Sequence, residues 1–148
     1  MDQTTKKQTE EGLAELYRNV QLAITSIADI MPNLENDALL KDTLMHQYEI
    51  YEQFSARAQI LAKDLEVELK EPNPMKKAMM WGSIKMSTLT DNSRSHIAEM
   101  MAQGTVMGIT ALLRTQREMK GGDDRVFKLF DELIKQEEIF EKKWKDLV

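Results

Sequence analysis

Apolar residues recur along this chain at intervals of three and four, the period of helices that bury one face. Leu13, Leu16, Tyr17, Val20, Ile24, Ile27 and Met31 make one stripe. Leu40, Leu44, Gln47, Tyr51, Phe54, Ala58, Leu61 and Leu65 make a second. Val126, Phe130, Leu133, Glu137, Phe140, Trp144 and Leu147 make another near the end. Three interruptions separate the patterns: Met31-Pro32-Asn33, Glu71-Pro72-Asn73-Pro74, and Lys120-Gly121-Gly122-Asp123. Proline pushes the residue before it out of helical geometry, and a glycine pair followed by Asp reads as a C-cap and an N-cap. The spacing therefore predicts four helices, at residues 8–31, 35–70, 75–119 and 123–147. With no linker between them, residues 1–148 form a single all-α domain. Short connections favour an antiparallel four-helix bundle.

Helix length complicates this picture. At a rise of 1.5 Å per residue, helix 2 would be about 54 Å long and helix 3 about 67 Å, against roughly 36 Å for the other two. Eight of the eleven methionines fall in helix 3. Folding the chain back at each turn leaves residues 59–70 and 75–90 without helical neighbours. They carry Leu61, Leu65, Leu69, Met75, Met79, Met80, Trp81 and Met86, which is too much apolar surface to leave wet. Two arrangements would cover it. Helix 3 either breaks near Thr90-Asp91-Asn92-Ser93 and folds back, or forms a protruding hairpin with helix 2 that pairs with a second copy. The expectation is the second: a homodimer with that Met-rich hairpin as its association surface.

Composition narrows the function classes. A chain of 148 residues with no cysteine has no disulfide framework, thiolate metal site or cysteine nucleophile. A net charge of −5 argues against nucleic acid as a partner. No run reaches the ~20 apolar residues that span a bilayer, so membrane insertion is not expected. The start, MDQTTKKQTEEG, lacks the apolar segment of a signal peptide. Phosphate-binding glycine loops, nucleophile elbows and zincin motifs are missing.

The stretch Ser95–Ile109 (SHIAEMMAQGTVMGI), with Lys135–Glu138 in the last helix, resembles small bacterial proteins of the ferritin-like superfamily. That resemblance implies a ferritin-like fold and a cytoplasmic protein. It implies no particular activity. Di-iron members of the superfamily place Glu-x-x-His motifs on two helices and a further Glu on each of the others. Here Thr43 stands three residues before His46 and Ser93 three before His96, so that ligand set is missing. Both histidines instead open a His-x-x-Glu pair, with Glu49 and Glu99.

Four further features carry candidate chemistry. Glu137 falls on the apolar seam, where an unpaired carboxylate would be costly. Level counting places Gln103 opposite it, as the other half of a polar core pair. Tyr17, Gln47, Tyr51, His96 and Trp144 gather one layer away and could line a small polar pocket. Ile97, Met100, Met101, Gly104, Met107, Gly108, Ala111 and Leu112 are read as the buried face of helix 3, the glycines permitting close approach. The leading expectation is a non-enzymatic, dimeric structural or interaction module that needs no cofactor and has room for a protein partner. Its alternatives are an atypical metal-binding bundle, with ligands from Glu137, His96, Glu99 and Glu49, and a small-ligand binder built on the polar layer.

Overall fold

The computed structural model describes residues 3–34, 37–70, 91 and 93–148. Among these, regular structure is entirely helical: α1 (Gln3–Ile30), a 3-10 turn (Met31–Asn33), α2 (Ala38–Asp64), α3 (Arg94–Glu118) and α4 (Asp124–Leu147). Each start after the first is capped by a short polar side chain that accepts an otherwise unpaired helical N–H. Asp37 accepts from Leu40 N–H at 3.0 Å, Ser93 from His96 N–H at 3.3 Å, and Asp123 from Arg125 N–H at 2.8 Å. None of the four helices is long and apolar enough to cross a membrane.

Contacts between side chains fix the relative directions of the helices. Along α2 and α4 the pairs are Gln47 with Trp144, Tyr51 with Glu137, and Arg57 with Glu132, so these two run oppositely. Gln21 of α1 meets Ser55 of α2 at 3.4 Å, and Ala28 and Met31 share a groove with Met45 and Lys41. Gly12 of α1 lies against Met119, while Asn19 lies near Gly108. Arg94, the first residue of α3, holds Asp37, the cap of α2, through two bonds of 2.8 and 2.9 Å. Hence α2 and α3 start at the same end and run the same way. At the far end Thr9 Oγ1 accepts from Asp123 N–H at 3.1 Å, which places the starts of α1 and α4 together. The helices form two hairpins, α1–α2 and α3–α4, joined through residues 65–93.

This departs from the sequence reading in three places. Helix 2 was expected to reach residue 70 but stops at Asp64. Its end is a Schellman turn: Val67 N–H bonds Ala62 O at 2.8 Å, Glu66 N–H bonds Lys63 O at 3.3 Å, and Glu66 sits at φ 57°. The spacing of Leu61, Leu65 and Leu69 concealed this stop because the left-handed position carries Glu rather than Gly. Glu66→Gly should therefore stabilise the chain by about 0.5–1 kcal/mol, read as a rise of a few degrees in Tm. The helical arm expected over 65–70 is consequently not there, and Leu65 and Leu69 are half-buried against the core.

In the second, helix 3 starts at Arg94, with Ser93 in extended geometry (φ −63°, ψ 153°). Met75, Met79, Met80, Trp81, Gly82 and Met86 lie outside the described residues. The third concerns which face of α3 is buried. Ile97, Ala98, Ala102, Thr105 and Leu112 are inside, whereas Met107 is 73% exposed and Gly104 faces open space. The buried face is rotated by roughly a quarter turn from the one marked by methionine and glycine. Small residues bring α3 close to α4, whose Val126, Leu129, Phe130, Leu133, Phe140 and Trp144 supply the bulk.

Candidate functional site

Four buried side chains from α2 and α4 form one directed chain of hydrogen bonds. Trp144 Nε1–H donates to Gln47 Oε1 at 2.7 Å. Gln47 Nε2–H donates to the Tyr51 hydroxyl oxygen at 2.7 Å, and that hydroxyl donates to Glu137 Oε1. Indole N–H can only donate, so it sets the orientation of the Gln47 amide. The amide then fills an acceptor position on Tyr51, which turns the phenolic hydrogen toward Glu137. The series ends on a carboxylate with 3% of its surface exposed.

Helical spacing explains why these residues meet. Gln47 and Tyr51 are four apart on α2, and Glu137, Phe140 and Trp144 follow the three-four rhythm of α4. Phe140 packs edge-on against Tyr51, with ring centres 5.8 Å apart, and fixes the phenol from the side. On the other side of Glu137 stands Gly108 of α3. A Cβ there would lie 3.2 Å from Glu137 Oε2 and 3.8 Å from Asn19 Oδ1 of α1. The glycine makes room for the carboxylate.

Burial dominates the electrostatics. Loss of water pushes the Glu137 carboxyl up to about 7, and the Tyr51 hydroxyl bond draws it only partly back. Tyr51 is held well above its ordinary value, first by burial, then by the Glu137 charge and the bond to it, with Gln47 acting the other way. Tyr51 therefore keeps its proton and serves as a donor across the whole physiological range.

Gln103 was expected to face Glu137. It is exposed on α3, and Tyr51 takes that place. Of the five residues assigned to a polar pocket, Gln47, Tyr51 and Trp144 come together. Tyr17 is buried on α1 and accepts from Gln21 at 3.0 Å, while His96 is half-exposed in the first turn of α3. Two open surface grooves, one between the 3-10 turn and α2 and one beside Arg57 and Lys128, include none of the hydrogen-bonded four. Glu49 and Glu99 are exposed on different helices, and His46 is exposed with its ring edge toward Phe140. Among the described residues no three His, Asp or Glu side chains converge as metal ligands would. Among the described residues the arrangement is a buried polar core that ties α2 to α4.

A second candidate lies on the surface of α3. From Met100 to Leu113 the helix carries no charged residue. Part of that stretch faces out: Val106 is 41% exposed, Met107 73% and Leu113 44%. Composition could have revealed this face, since a solvated helix ordinarily carries charges along its outer side. The close approach of Gly12 to Met119, where a Cβ would lie 1.6 Å from the sulfur, left no signal in local sequence.

Family models, curated proteins and solved structures were all compared with this chain, and none matches.

Proposed function

We propose that this chain is a non-enzymatic helical module that works by self-association, with the architecture of the ferritin-like superfamily. The charge-free outer face of α3 carries this reading. A soluble helix that exposes Val106, Met107 and Leu113 without an intervening charge gains by covering them. The helix order supports the architectural part, because two antiparallel hairpins with parallel second and third helices need one long crossover connection, as ferritin-like bundles do. The burial of the Glu137 chain favours a structural role for it over a catalytic one. On this reading the protein acts in the cytoplasm, needs no metal, and takes another protein chain as its partner.

Sedimentation equilibrium of the full chain, with elemental analysis of protein purified without a histidine tag, tests the proposal. A reversible dimer holding far less than one equivalent of Fe, Mn or Zn per chain is the expected result. A strict monomer would remove the self-association reading. A stoichiometric metal would replace it with the metal-binding alternative.

A further inference from the structure

Building on the self-association reading, we infer that the partner is a second copy of this chain, docked through an antiparallel pairing of the two α3 helices. The two-fold axis passes between Val106 and Met107. A symmetric interface must be self-complementary: whatever residue i meets, its equivalent meets in return. The outer face of α3 has that property about this one point. An antiparallel copy centred there sets Val106 opposite the second copy's Met107, Gln103 opposite its Thr110, and Met100 opposite its Leu113. Glu99 then falls opposite Arg114, at both ends of the contact.

Exposure agrees with this placement. Glu99, Gln103, Val106, Met107, Thr110, Leu113 and Arg114 are all exposed, and Met100 is half-buried. Glu99 and Arg114 are the first charges on either side of the neutral stretch and have opposite signs. Neither makes an ion pair within its own chain among the described residues. Parallel pairing of the same faces would set Glu99 against Glu99 and Arg114 against Arg114, so the charges select the antiparallel form. With one helix face per copy the contact sits at the small end of specific interfaces.

Charge reversal provides the test, since Glu99 and Arg114 are exposed and circular dichroism of each variant should match that of the wild type. Sedimentation equilibrium should show Glu99→Arg and Arg114→Glu each weakening the dimer about tenfold, because each dimer contains the pair twice. The double variant E99R/R114E should return to within roughly threefold of the wild type, a rescue that loss of folding would not produce. Because the chain has no cysteine, Val106→Cys reports directly on the axis. It should oxidise to a covalent dimer, while Ile60→Cys, on an exposed position of α2, should not. A wild-type dimer insensitive to both reversals overturns the α3 pairing and leaves the self-association reading in place. A wild-type chain that stays monomeric overturns both.

Discussion

From about pH 5 to pH 8 the wild-type chain is expected to lose about 2–3 kcal/mol of stability relative to Glu137→Gln, whose own profile stays nearly flat. The sign follows from where the proton sits. Burial raises the Glu137 carboxyl from 4.5 to about 7, so over that interval the folded chain still holds a proton that the unfolded chain has released. Stability then falls as pH rises, and above about 7 the full cost of the buried charge is present. Glutamine keeps the shape and still accepts from the Tyr51 hydroxyl, but carries no charge to desolvate. Urea unfolding at several pH values measures both chains. Parallel curves would mean that Glu137 does not titrate between its folded and unfolded values. On the acid side other carboxylates act in the opposite sense. A hydrogen bond from Arg94 holds the Asp37 carboxyl below its usual value, and a bond from Arg125 does the same for Asp123. Their contribution is present above about pH 4 and fades as the pH drops through their lowered values.

Tyr51→Phe should cost about 2–3 kcal/mol at pH 8, although the ring and its packing on Phe140 remain. The hydroxyl is the sole hydrogen-bond donor to Glu137 among the described residues, and it also accepts from Gln47. Its loss leaves one buried carboxylate and one buried amide unpaired. Protonation of Glu137 becomes easier, so the loss should shrink toward pH 5. Pairing the change with Glu137→Leu should recover most of the stability, because removing both partners of a buried polar contact is far cheaper than removing one. Thermal unfolding of the two single variants and the double variant completes the cycle. If Tyr51→Phe were silent at pH 8, the hydroxyl would not be sustaining the carboxylate.

Both predictions rest on a residue that sequence pattern already isolates. Glu137 interrupts the apolar seam of α4 at a position that periodicity places inside, and that inference needs nothing beyond one helix. Its partner required the register between helices, and there the reading failed. Counting levels back along an overlong helix 3 set Gln103 at the height of Glu137. The placement also took methionine and glycine as marks of the buried face, whereas α3 turns alanine and threonine inward. The stop of α2 was hidden for a different reason. Glu66 occupies a left-handed site that usually advertises itself through glycine, while Gly121, at φ 93° after α3, sits where the glycine pair predicted a helix end. The contact of Gly12 with Met119 joins positions over a hundred residues apart, and helical period alone cannot couple them. Within-helix features were therefore legible, and between-helix features largely were not.

The two hairpins also imply an order of events during folding. Contacts within α1–α2 and within α3–α4 span short loops and close quickly, whereas the bonds from Gln47 and Tyr51 to Trp144 and Glu137 bridge 97 and 86 residues. Joining the hairpins is thus the step that strips water from the carboxylate. A chain meeting that barrier in acid carries a neutral side chain into the interior, and in alkali a charged one. The residue that ties α4 to α2 therefore enters the interior in a different charge state at the two ends of the pH range.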